Sequence, residues 1–251
     1  MLFYYPLIFF VFSLVVLWLS AQLGTTMRRR RPLQEDERED FNVVEAATLT
    51  LLGLIIGFSF SMATNRYDQR KDLEEAEANA IGTEYFRAEL LPAANNEVVR
   101  NQLREYLELR LAYYQTRNKR ELQHIDADTA QLQAQMWSAV QVPAMMSPSP
   151  VIALAVAGMN DVLNSQGYTQ AAWRNRIPVS AWTLMIAIAV CCNFLVGYGV
   201  RKSGGQSRLL VVMPLVISVA FLLISDIDSP RSGFIRVVPQ NLVSLAQALR
   251  K

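Results

Sequence analysis

The sequence predicts an all-α membrane protein, with four transmembrane helices and a helical extramembrane domain between the second and third. Three observations predict it. Hydrophobic residues make up 52% of the 251-residue chain, and they gather in four long runs. Mean hydropathy is +0.17, high for a soluble domain. The segment between the second and third runs carries charges at helical spacing, and no alternating β pattern of useful length occurs in the chain.

The runs come in order. Leu2 to Ala21 is almost wholly apolar, Val43 to Ala63 is apolar after Glu45, Val179 to Val200 is apolar throughout, and Leu209 to Ile224 holds no charge. A helix needs about 17–25 such residues to cross the roughly 30 Å hydrocarbon core. The first three runs meet that length. The fourth is short and contains Pro214, which a membrane helix tolerates when neighbours satisfy the freed backbone groups; its competing reading is a buried soluble helix. The first run lacks a basic residue at its start, and Arg28 to Arg31 follow it. That is the pattern of a retained anchor rather than a cleaved signal.

This divides the chain into spans one and two (1–63), a helical extramembrane domain (64–177), spans three and four (178–225) and a tail (226–251) that docks on the extramembrane domain. By the positive-inside rule, the short loops 22–42 and 201–208, with Arg28 to Arg31, Arg38, Arg201, Lys202 and Arg208, face the cytoplasm. Arg66, Arg70, Lys71, Arg174, Arg176, Arg231 and Arg236 flank the membrane on the other side, so both orientations stay open.

From Thr64 to Leu91 nothing breaks a helix except Gly82, so the second span is expected to continue past the membrane surface, ending at Pro92. Arg70 with Glu74 and Lys71 with Glu75 sit four apart, able to pair along a solvated face. Leu73, Ala76, Ala80 and Tyr85 form a weaker apolar stripe. Val98 to Lys119 follows, with Leu103, Tyr106, Leu107, Arg110 and Tyr114 at three- and four-residue spacing. Further helices are expected from Ala127 to Val142 and from Pro150 to Leu163.

Within the second span, Gly53, Gly57 and Ser61 recur every fourth residue on one face. Small residues at that spacing let membrane helices approach closely, within one subunit or between subunits. The single histidine, His124, lies near Asp126 and Asp128 and reads as part of a helix cap rather than a cation site. Cys191 and Cys192 are adjacent and form neither a staple nor a zinc site. No phosphate-binding loop, dinucleotide fingerprint or nucleophile elbow occurs, and a net charge of +2 supplies no basic stripe for nucleic acid. An enzyme, a cofactor and a bound metal are not expected. In the tail, Asp226 and Asp228 stand at the end of the fourth run, where the helix dipole disfavours acids. They read as ordinary turn acids, or as acids matched by arginines or by a cation held through oxygen ligands.

YDQRKDLEEAEANAIGTEYFRAELLP and SDIDSPRSGFIRVVP resemble the two signature stretches of a bacterial bestrophin-like membrane family, over nearly the whole chain. The similarity to bestrophins proper is more distant: Gly57–Phe58 and Arg66–Tyr67 are similar to their second span, and Asp226, Asp228, Pro230 and Gly233 to their acid-rich stretch after the fourth. Bestrophins are pentameric ion channels whose second spans surround the pore. The resemblance implies a homo-oligomer, a pentamer if the match extends so far, in a bacterial inner membrane. It implies too that Phe58, and Leu54 one turn earlier, face an apolar neck that passes ions. It also implies a cytoplasmic domain, against the charge of the short loops. A membrane-anchored helical scaffold that binds a partner through residues 65–177 is the alternative.

Overall fold

The computed structural model describes residues 5–200 and 208–250, with no side-chain detail at 208 and 209. Arg201 and Lys202 of the second short loop, and the first residues of the first apolar run, lie outside the described residues. Among the described residues every regular element is helical: α1 (Pro6–Arg30), α2 (Glu37–Arg87), α3 (Ala93–Gln115), α4 (Lys119–Met146), α5 (Pro150–Arg174), α6 (Val179–Gly199), α7 (Val212–Asp228) and α8 (Gln240–Leu249), with 3-10 turns at Ala88–Leu90 and Arg208–Val211.

Local chemistry explains most boundaries. Pro6 starts α1, and Arg28, Arg29 and Arg30 close it, basic charge where the helix dipole is negative. Glu37, Glu39 and Asp40 occupy the first turn of α2, the converse placement. That helix runs 51 residues without a break, about 75 Å. It ends before Pro92, in the 3-10 turn. Asn118 caps α4 by accepting from Arg120 N at 2.9 Å, and Ser149 caps α5 by accepting from Ile152 N at 3.2 Å.

Two helices outrun their expected ends. Pro143 falls inside α4, in its last turn, so one lost N–H donor does not stop the helix. α5 continues to Arg174 because Gly167 and the polar residues beyond Leu163 weaken a helix without breaking it. In α7, Pro214 is the third helical residue, where the missing N–H would have had no intrahelical partner.

Among the described residues three stretches are long and apolar enough to cross a membrane, within Pro6–Arg30, Glu37–Leu90 and Pro150–Gly199. α7 has 17 residues. The chain divides into two compact units, Met1–Arg66 with Arg176–Arg236, and Tyr67–Asn175 with Val237–Lys251; residues 226–251 are thus shared between them.

In the first unit α1 packs on α6 and α7. Phe9, Trp182 and Phe221 form an aromatic cluster, with Phe9 edge-on to Trp182 at 5.1 Å and stacked on Phe221 at 5.9 Å between centroids. Ser20 Oγ donates to Val190 O at 2.7 Å. The α1–α6 crossing is set by two glycines. A Cβ on Gly24 would overlap Phe194 O, and one on Gly197 would overlap Ala21 O. Backbone meets backbone there.

In the second unit α3 packs on α4, α4 on α5 and α8 on α3, around Ile81, Leu103, Tyr106, Met136, Met159 and Leu242. The apolar stripe expected on α2 is met in part: Tyr85 is in the core, Ala80 packs against it and Leu73 is half-buried. Ala76 is exposed, while Arg70, Glu74, Glu77 and Glu84 are all at 1% exposure or less. Of the charge read as solvated, Arg70 and Glu74 lie on a core face, while Lys71 and Glu75 are exposed.

Most of these charges are buried because distant elements supply partners. Arg70 Nε donates to Ala172 O at 3.3 Å. Glu74 accepts from Leu242 N at 3.0 Å and from Asn241 Nδ2 at 2.7 Å. Glu77 pairs with Arg110 of α3 and accepts from Tyr114 at 3.3 Å and Thr169 at 3.2 Å. Arg110 also lies 4.4 Å from the Tyr113 ring centroid. Burial, and then the Glu77 carboxylate, push the Tyr106 and Tyr114 phenols well above their ordinary range, so both stay neutral; Tyr114 donates to Glu77 and Tyr106 accepts from Gln133.

Candidate functional site

The membrane part of α2 turns Leu52, Ser59 and Ala63 inward, each at 7% exposure or less. The residues singled out in the sequence lie elsewhere on the helix. Leu54 and Phe58, one turn apart, are 54% and 66% exposed. Gly53, Gly57 and Ser61 are exposed as well, and a Cβ on either glycine would meet nothing within 4 Å. Phe60 is 44% exposed, half-open rather than packed inside the chain. One long face of this helix is therefore apolar, notched by small residues, and open in the single chain.

At the end of α7 the chain folds back over two acids. Asp226 accepts from Phe234 N at 2.7 Å and Ile235 N at 2.8 Å, one bond to each carboxylate oxygen. Gly233 N reaches Ser229 O at 3.1 Å, and a Cβ on Gly233 would overlap Asp226 O, so the turn requires glycine. Asp228 accepts from Ile177 N at 3.2 and 3.1 Å and faces Arg66 of α2 at 3.4 Å. Both carboxylates are buried. Their partners are backbone amides and an arginine, charge-assisted bonds that offset the unfavourable helix end. Among the described residues no group of three or more His, Cys, Asp or Glu is placed to hold a metal ion.

His124 and Asp128 are exposed in the second and third turns of α4 rather than at a cap, and Asp126 accepts from Gln170 at 3.0 Å. Cys191 is exposed, while Cys192 is buried and donates to Thr48 O of α2 at 3.3 Å. Sequence reasoning missed the α1–α6 glycines and the Arg66–Asp228 pair. Ser20 and Gly24, and Ala189, Asn193 and Gly197, carry the same four-residue spacing of small or compact residues that marked Gly53 and Gly57. The pair had no local signal, since its members are 162 positions apart.

Long apolar helices around a membrane-spanning core define an integral membrane protein. The family model described as Bestrophin-like domain matches residues 7–242, and the chain belongs to that family. Solved structures of a bacterial bestrophin homolog from Klebsiella pneumoniae share the fold. A variant of it is 12% identical with a TM-score of 0.65, covering 96% of this chain and 97% of its own. A second structure of that homolog, phased on zinc, is 13% identical with a TM-score of 0.64, covering 95% of each chain. No curated protein matches by sequence.

Proposed function

We propose that the protein is an oligomeric ion channel of a bacterial inner membrane, with the second spans of several copies gathered about a common axis. One observation carries the reading. In the most apolar window of the α2 stretch only 11% of the residues are buried inside the chain, against 33% for α1 and 28% for the third stretch. Lipid alone would cover a smooth face of large side chains. Gly53, Gly57 and Ser61 instead leave notches that suit the close approach of another helix. Leu54 and Phe58 then face the axis and form an apolar neck, which controls ions by dewetting.

In this reading α7 is the fourth span, residues 64–177 form the extramembrane domain, and the tail 226–251 docks on it. Asp226 and Asp228 fix the exit of the fourth span, and Arg66 ties that exit to the second. Five copies, as in bestrophins, are the expected number. The scaffold alternative draws support from an open groove of about 500 Å³ between α4 and α5, lined by Trp137, Ile152 and Val156, with Met145 and Met146 exposed nearby.

Cross-linking of the purified protein tests the assembly. The unaltered protein is expected to yield oligomers, and Gly57→Leu to yield few, because the added side chain fills the close-contact face. Unchanged cross-linking in Gly57→Leu would remove that face from the subunit contact. Strict monomers in the unaltered protein would favour the scaffold.

A further inference from the structure

Glu84 stands on the buried face of α2 at 0% exposure, and both of its carboxylate oxygens are shut from solvent with no hydrogen-bond partner. Every other acid on that face has one. Against it lies Gly158 of α5, so close that a Cβ there would overlap Glu84 Oε2 and sit 2.7 Å from Arg87 Nη1. A carboxylate so placed is costly, whereas the neutral acid is tolerable.

The charged groups near it are few. From α2 comes Arg87, one turn further on, and from α5 comes Asp161, the only acid of that helix. On α3, Arg100 and Arg104 lie over the Tyr85 ring at 4.3 and 5.1 Å. Arg100 also pairs with Glu89 of the 3-10 turn at 3.1 Å. Burial pushes the Glu84 carboxyl up to about 8, with Arg87 pulling it down and Asp161 adding to the rise.

We infer that Glu84 is a proton-binding site: with the proton bound, the neutral acid packs against Gly158 and holds the α2–α5 seam closed, and loss of the proton to bulk water opens that seam. The carboxylate left behind has no donor where it stands. Arg87 offsets part of its charge where it stands, and water completes its solvation only once it leaves the glycine. The site presumes no conduction and is tested apart from it.

The sign follows from linkage. A water-exposed Glu84 titrates at its ordinary 4.5 and the packed one at about 8, so the closed seam holds a proton that the open one has released. Opening therefore rises about tenfold per pH unit between roughly 5 and 8 and levels off above.

Hydrogen–deuterium exchange of the full-length protein in detergent micelles, corrected for intrinsic rates, reads this in peptides around Gly158 and Glu84. From about pH 6 to pH 8 the unaltered protein is expected to lose about 50-fold in protection. Glu84→Gln, which mimics the neutral acid, is expected to stay flat at the low-pH level. Flat protection in the unaltered protein, or an unchanged slope in Glu84→Gln, would overturn the proposal. The infrared spectrum of the unaltered protein serves if the variant does not fold. A carboxylic-acid carbonyl band that disappears near pH 8 supports the site; absence of any such band above pH 6 refutes it.

Discussion

Glu77→Leu is expected to destabilise the protein by about 3–5 kcal/mol, enough to lower the unfolding midpoint on the order of 10 °C. The substitution keeps an apolar body in a fully buried place. It strands Arg110, which is 0% exposed and whose Nε and Nη2 both point at Glu77. Tyr114 and Thr169 lose the acceptor they share. Arg110 Nη1 has no hydrogen bond even in the intact protein, so no second acceptor stands ready. The double variant Glu77→Leu/Arg110→Leu should recover much of the loss, because two apolar groups avoid the desolvation that one charge suffers. Thermal unfolding in micelles checks both. A single variant within about 1 kcal/mol of the parent would mean that the pair carries little of the unit's stability.

Gly197→Leu is expected to disrupt the first unit. Its Cβ would overlap Ala21 O and come within 2.8 Å of Ala21 C, and these are backbone atoms that cannot rotate away. α1 and α6 must separate. That breaks the Ser20–Val190 bond and the bond from Arg28 to Tyr198 O at 2.8 Å. Overpacking of this kind costs about 1–3 kcal/mol where side chains yield, and more is expected where they cannot. The check is the fraction of protein that survives extraction as a monodisperse species. Gly53→Leu is a useful contrast: a Cβ on Gly53 meets no atom of its own chain within 4 Å, so the backbone overlap that Gly197→Leu creates has no counterpart there. Equal recovery of Gly197→Leu and the parent would contradict the crossing described.

Much of the fold was legible because membrane spans depend on length and composition. The run from Glu37 to Arg87 contains no proline, and its glycines sit where neighbours of strong helix propensity carry the helix through. What could not be read was that the buried face of α2 beyond the span also carries Arg70, Glu74, Glu77 and Glu84. Charge normally marks solvent, and here Glu77 and Glu74 are buried by partners as far as 92 and 168 positions away. Nothing local encodes such a partner. The small-residue rule identified Gly53 and Gly57 and passed over Gly24 and Gly197, since spacing marks a face capable of close approach without saying what approaches it. For the candidate site, the helix and the acids were visible in the sequence; the openness of the Leu54–Phe58 face needed the packing of every other helix.

Ion flux through the purified protein in liposomes tests the channel reading most directly, with Phe58→Ala and Phe60→Ala measured beside the parent. Phe60 points about 200° from Phe58 on the same helix, which makes it the internal control. The parent is expected to conduct. Phe58→Ala is expected to pass more current or discriminate less between ions, because a wider neck lowers the dewetting barrier, while Phe60→Ala stays near the parent. No flux from any of the three, across a range of voltage and salt, would contradict the channel.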